Sequence, residues 1–272
     1  MRFAKGHGTG NDFVLLPDPD GVLALTPAQV AAVCDRRFGI GGDGVLRVVR
    51  AAAEPAAAAY ADRAEWFMDY RNADGSVAEM CGNGIRVFAR YLVTHALAGA
   101  RFSVATRAGL VAVAVHADAV GADLPVPVPG APSSVRLGGV RYPGTAVDVG
   151  NPHLVCPVPD PGAVDFTVPP VFDPAVFPAG ANAEFAAAVP APAGADLGVR
   201  MRVYERGSGE TLSCGTGACA VAAVALGTAG RTGGRVAVDL PGGRLLVDLD
   251  PGRCVLTGPA VLVAEGELAL PG

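Results

Sequence analysis

One block of this sequence occurs twice. Residues 66–84 lie on residues 199–217 without a gap, at an offset of 133. Met68 falls on Met201, Asn72 on Glu205, Cys81 on Cys214, Gly82 on Gly215 and Gly84 on Gly217. Each copy reads as a short strand, a polar loop, Cys-Gly-Asn-Gly or Cys-Gly-Thr-Gly, and then an apolar helical run. A second match precedes each block: Gly10-Asn11 and Gly150-Asn151 both open a strand, at an offset of 140. Two matches in the same order predict a duplicated domain.

The rest of the pattern fits that duplication. Strands are predicted over 12–16, 44–50, 66–71, 109–116, 145–149, 200–205, 235–240, 244–249 and 254–258. Helices are predicted after Thr26-Pro27, Gly84 and Gly217. Strands outnumber helices and follow one another, which indicates α+β architecture rather than a doubly wound sheet. The 272 residues suffice for two domains of ordinary size. We place them at 1–120, carrying Cys81, and 121–264, carrying Cys214, with the Pro- and Gly-rich stretch 124–139 at the boundary. The alanine-rich stretch 51–64 reads as a partly helical surface insertion.

Composition removes several function classes. The formal charge is −5 and there is no basic stripe, so neither nucleic acid nor an anionic membrane is an expected partner. Met1 to Gly8 lacks the apolar core of a signal peptide, and no apolar run could span a bilayer, so a soluble cytoplasmic protein is expected. Lys5 is the only lysine and has no phosphate-binding pattern beside it, which argues against pyridoxal phosphate. With no Cys-x-x-Cys and no His-x-x-x-His, the sequence supports no zinc site, and no disulfide framework is expected. Gly215 to Ala220 fits a dinucleotide fingerprint, but the preceding residues are polar rather than a buried strand.

Four of the six cysteines, Cys34, Cys156, Cys219 and Cys254, lie in apolar surroundings and read as small buried hydrophobes. Cys81 and Cys214 differ, because each precedes a helix and is followed by glycines. Free N–H groups at a helix N-terminus favour a thiolate, lowering thiol pKa values to roughly 3.5–7.5 in documented cases. Glycines let those N–H groups approach a bound carboxylate. Two such turns facing each other across a cleft would take a proton from one face of a carbon and return one to the other. One thiolate is the general base and the opposite thiol the general acid. The same N–H groups would stabilise the developing charge. Glu205 and Arg206 stand where Asn72 stands in the first copy, nine residues before the cysteine, and are expected at the site. His153 reads from spacing alone as structural, and Asp12 and Asp43 as loop and capping residues.

These motifs resemble the diaminopimelate epimerases through nearly the whole chain. The resemblance rests on Gly8-Thr-Gly-Asn11-Asp-Phe13, the segment from Cys34 to Gly44, Asn72-Ala-Asp-Gly75, Cys81-Gly-Asn-Gly84, Gly150-Asn-Pro-His153, Glu205-Arg-Gly207 and Cys214-Gly-Thr-Gly217. It implies a cofactor-independent enzyme interconverting LL- and meso-2,6-diaminopimelate, with Cys81 and Cys214 as the acid/base pair. It also implies that the backbone of Gly82, Asn83, Gly215 and Thr216 holds the reacting carboxylate. Asn11, Asn72, Asn151, Asn182, Glu205 and Arg206 would read the substrate, and His153 and Glu205 would support the catalytic residues. Two halves are implied, each a curved mixed sheet wrapping a central helix, with the tail 265–272 returning to the first and the protein a homodimer. One departure is Gly44, where many relatives carry a substrate-contacting glutamine. Two alternatives remain: a proline racemase-type enzyme of the same fold, and a non-catalytic thiol redox or amino-acid-binding protein.

Overall fold

The computed structural model describes residues 1–270, so the last two residues of the expected tail lie outside the described residues. The chain divides into two units, Met1–Ala122 with the chain from Gly258 onward, and Asp123–Thr257. The first contains β1 (Arg2–Gly8), β2 (Asn11–Pro17), α1 (Pro27–Cys34), β3 (Gly44–Arg50), β4 (Trp66–Asn72), α2 (Gly82–Thr94), β5 (Arg101–Thr106), β6 (Gly109–Val115) and β7 (Val120–Leu124). The second contains β8 (Val128–Leu137), β9 (Val140–Asp148), β10 (Pro152–Pro157), β11 (Val171–Phe172), β12 (Asn182–Val189), β13 (Leu197–Glu205), β14 (Gly209–Thr211), α3 (Gly215–Thr228), β15 (Gly234–Leu240), β16 (Gly243–Asp250) and β17 (Arg253–Gly258). β18 (Val261–Glu267) then pairs with β1, so the return to the first unit begins before Glu265.

Strand pairing makes the duplication explicit. In the first unit the order is β18-β1-β2-β3-β4-β5-β6-β7, in which β2–β3 and β4–β5 are parallel and every other neighbour antiparallel. In the second it is β8-β9-β10-β12-β13-β15-β16-β17, with β10–β12 and β13–β15 parallel and the rest antiparallel. The parallel pairs occupy the same places in both. The C-terminal strand β18 fills the position in the first unit that β8 fills in the second.

Each sheet wraps one helix. α2 packs on β1, β2, β3, β4, β6 and β18, and α3 on β8, β9, β10, β12, β13, β15 and β16. α3 runs Ala-Cys-Ala-Val-Ala-Ala through its centre with all six residues buried, as expected of a helix apolar all round. On α2, Ile85, Val87, Phe88 and Leu92 are fully buried. α1 begins as its sequence predicts, with a reciprocal capping box between Thr26 and Gln29 and Pro27 in the first turn.

Residues 51–64 are partly helical and mostly exposed, as expected, in two short 3-10 turns, but Ala51, Ala57 and Ala64 are buried against Val49, Phe67 and Ala105. Glu54 of this segment also reaches the buried Arg47, which holds Asp18 and Asp69 as well. The boundary between the units falls between Ala122 and Asp123, directly before the stretch 124–139, most of which is strand β8. Its ladder to β9 shifts register between Pro129 and Pro132, a bulge that accommodates residues with no N–H to donate.

Candidate active site

Cys81 is the N-cap of α2, in extended backbone, and its Sγ accepts the Gly84 N–H at 3.4 Å. The thiol donates to Asn11 Oδ1 at 3.6 Å, and Asn83 Nδ2 donates to the same oxygen at 3.2 Å. Asn11 is held in that orientation because its Nδ2 donates to Asp43 at 2.7 Å. Arg36 clamps Asp12 at 2.7 and 3.0 Å and reaches Asp43 at 2.8 Å, while Lys5 donates to Asp12 at 2.6 Å. Burial opposes the charge on Asp12, but Arg36 and Lys5 prevail and hold its carboxyl well below the usual range. Asp12 and Asp43, expected as loop and capping residues, therefore brace the asparagine that touches Cys81.

Behind the thiol, Asn83 is turned inward. Its Oδ1 accepts from Arg86 at 2.9 Å and from the Thr9 hydroxyl at 3.3 Å. Arg86 is fully buried and also donates to the Gly82 carbonyl at 2.8 Å. Asn72, at the end of β4, donates to the Ser76 hydroxyl at 3.0 Å and pairs across the ladder with Gly44. A Cβ on Gly44 would lie 2.5 Å from the Arg71 carbonyl oxygen, so this backbone leaves no room for the family's glutamine.

The second unit repeats the arrangement with different neighbours. Cys214 caps α3, accepts the Gly217 N–H at 3.4 Å and lies 3.6 Å from the Thr216 hydroxyl. Its pKa is raised well above that of an ordinary thiol, foremost by burial and then by the Glu205 and Glu184 carboxylates. Bonds from Thr216 and Gly217 pull the other way and do not win. This runs against the expectation of a helix-lowered pKa at Cys214.

Glu205 hydrogen-bonds Cys214 and accepts from the Thr211 hydroxyl, and burial raises its carboxyl. Asn182 Oδ1 accepts the Arg206 backbone N–H at 2.9 Å, which ties the exposed Arg206 loop to β12. The Arg206 guanidinium itself bonds the Ala179 carbonyl at 3.4 Å. His153, expected from spacing to be structural, is fully buried between Glu184 at 2.6 Å and Asn151 at 3.1 Å.

The structure thus brings Asn11, Gly82 and Asn83 around Cys81, with Asn72 at the adjoining strand end. Around Cys214 stand Gly215, Thr216 and Glu205, while Asn151 joins His153 and Asn182 joins Arg206. Sequence reasoning missed Asp43 as a brace, Arg86 and Glu184. The available signals were an arginine inside an apolar helical run and an acid two residues from Asn182, hence on the same strand face. The other four cysteines are buried free thiols, and burial pushes Cys34 up to about 11 and Cys156 up to about 12. Among the described residues no group of three or more His, Cys, Asp or Glu could hold a metal, and no helix is long and apolar enough to cross a membrane.

Chemically, each half-site offers one proton-transfer group beside helix-start N–H groups that lack intrahelical acceptors. The sequence matches the family model described as diaminopimelate epimerase over residues 3–123 and 145–263. It is 55% identical to the diaminopimelate epimerase of Thermobifida fusca, covering 99% of this chain and 98% of that one. It is 50% identical to that of Streptomyces coelicolor, covering 98% and 95%. Among solved structures, a PhzF-family phenazine biosynthesis protein of Bacillus anthracis aligns with a TM-score of 0.71 at 14% identity, covering 99% of both chains. A probable proline racemase of Agrobacterium radiobacter aligns with a TM-score of 0.69 at 15% identity, covering 99% and 93%. At those identities the likeness is one of fold.

Proposed function

The chain belongs to the diaminopimelate epimerase family, and from that premise we propose that Cys81 and Cys214 are the two groups that move the α-proton as it interconverts LL- and meso-2,6-diaminopimelate. The observation that carries this reading is the repeated half-site, a thiol at a helix N-cap bonded to the third N–H beyond it, in two units of one strand pattern. Inversion requires a proton to leave one face of the carbon and another to arrive on the opposite face. One thiolate takes the α-proton, and the electron pair stays on carbon, delocalised into the adjacent carboxylate. The other thiol then delivers its proton, leaving the two sulfurs with exchanged protonation states. The N–H groups of Gly82, Asn83, Gly215 and Thr216 bind the reacting carboxylate where its charge grows.

Glu205 and His153 support the thiols in this reading. Asn11, Asn72, Asn151 and Asn182 contact substrate, Glu205 also attracts the distal ammonium, and Arg206 pairs with the distal carboxylate, bidentate geometry suiting both. The family resemblance implies a homodimer whose product serves lysine and peptidoglycan-precursor synthesis, and the composition of the chain suits a cytoplasmic location. The test is direct. Reduced protein incubated with LL-diaminopimelate should form the meso isomer, resolved by chiral chromatography, with proline left unchanged. Arg206→Ala should lower kcat/KM about 10- to 100-fold, the size of one charged hydrogen-bonded contact. Absence of conversion under reducing conditions, or racemisation of proline instead, would overturn the assignment.

A further inference from the structure

The register of the two sheets pairs corresponding positions and exposes one inequality between the half-sites. In the first unit Phe13 of β2 stands opposite Gly44 of β3, and Leu46 lies two residues on. In the second, His153 of β10 stands opposite Asn182 of β12, and Glu184 lies two residues on. Phe13 therefore corresponds to His153, and Leu46 to Glu184. All four side chains are buried. Three of them, Phe13, Leu46 and Glu184, also lie under the corresponding glycines of the repeat. A Cβ on Gly84 would meet Leu46 Cδ2 at 3.4 Å and Phe13 Cζ at 3.5 Å, ordinary contacts. A Cβ on Gly217 would meet Glu184 Oε1 at 2.7 Å and its Cγ at 3.2 Å, which leaves room for glycine alone. Gly217 is the residue whose N–H reaches Cys214 Sγ.

A buried polar pair is a poor way to fill a core. Replacing one with well-packed apolar residues is often neutral or stabilising, and Glu184 Oε2 has no hydrogen-bond partner. The first unit shows that this fold accepts an apolar pair at the same place, so packing does not explain the histidine and the acid. What the pair supplies is orientation. Glu184 Oε1 lies 2.6 Å from His153 Nδ1 and Asn151 Oδ1 lies 3.1 Å from Nε2, so an oxygen on each side holds the ring in one orientation.

We infer that Glu184 is a positioning residue of the Cys214 half-site, holding the His153 ring in one orientation and seating its carboxylate against the Gly217 turn. The inference rests on the epimerase reading above. It makes the two half-sites chemically unequal: the Cys81 turn packs on Phe13 and Leu46, and the Cys214 turn on Glu184, which holds His153.

Two variants test it. Glu184→Gln keeps the shape but replaces the carboxylate at Nδ1 with a neutral amide, so the hold on the histidine ring is weakened. At a temperature where circular dichroism shows the variant folded, its kcat should fall about 10- to 100-fold, the usual cost of losing a carboxylate that orients a histidine. KM should change less than about threefold, and the His153 ring ¹⁵N signals should move. H153F/E184L, which installs the first unit's pair, should melt at or above the wild-type temperature yet lose at least about 100-fold in kcat. A kcat within about threefold of wild type in Glu184→Gln, unmoved ¹⁵N signals, or wild-type turnover by H153F/E184L would each overturn the inference. Wild-type protein that fails to convert diaminopimelate at all would instead overturn the epimerase reading.

Discussion

Replacing either Cys81 or Cys214 with alanine is expected to lower kcat/KM for epimerisation by about 10²- to 10⁴-fold, the usual contribution of a positioned proton-transfer group. The fold should survive. Each change removes an N-cap acceptor, worth about 1 kcal/mol, and one sulfur atom from a site already lined by glycines. Because both groups serve one reaction, the losses should not add, and the double variant should be little worse than the more damaged single. Chiral turnover assays alongside thermal melts check this. A folded Cys214→Ala protein that keeps a tenth of its activity would remove Cys214 from the reaction and leave the repeated turn a structural inheritance.

The largest stability effect is expected at Arg86. Its guanidinium is fully buried and bonds the Gly82 carbonyl, the Asn83 side chain and the Thr9 hydroxyl. Arg86→Ala leaves a cavity of several heavy atoms and strips those acceptors of a charged donor, which together should cost about 3–5 kcal/mol. Urea unfolding measures it, and a loss under about 1 kcal/mol would contradict the account. The corresponding position of the second unit is the small buried Cys219, 133 residues later. Among the described residues, the Cys81 turn is braced by a buried cation and the Cys214 turn has Cys219 in that place. Folded Arg86 variants should therefore also lose activity, because the same side chain orients Asn83, which shares Asn11 with Cys81.

What could be read from sequence follows from how local its cause is. The helix starts at Thr26, Cys81 and Cys214 are written in short capping patterns, and the structure places α1, α2 and α3 there. The two half-sites were visible because duplication repeats a motif in register. Strand β8 was hidden because Pro129 and Pro132 read as loop residues, and only a bulge against β9 makes them compatible with a ladder. Strand β12 carries Ala-Ala-Ala, of low strand propensity, and is a strand because β10 and β13 flank it. Within the mostly exposed segment 51–64, the three alanines that reach the core could not be told from their neighbours, because alanine gives no signal of which face it buries. The acidic partners were hardest to read. Asp43 and Glu184 matter through bonds to Asn11 and His153, which lie 32 and 31 residues away. No spacing rule announces a contact set by strand register.

The central claim, two thiols acting on opposite faces of one carbon, is tested most directly by isotope. Wild-type enzyme in D2O, started from LL-diaminopimelate and separately from the meso isomer, is followed at early times for deuterium in substrate and product. Two groups predict deuterium at the inverted carbon of nearly every product molecule, while unreacted substrate stays protiated, because the proton removed and the proton delivered come from different sulfurs. Product that retains the original α-proton would mean one group serving both faces, and would contradict the account.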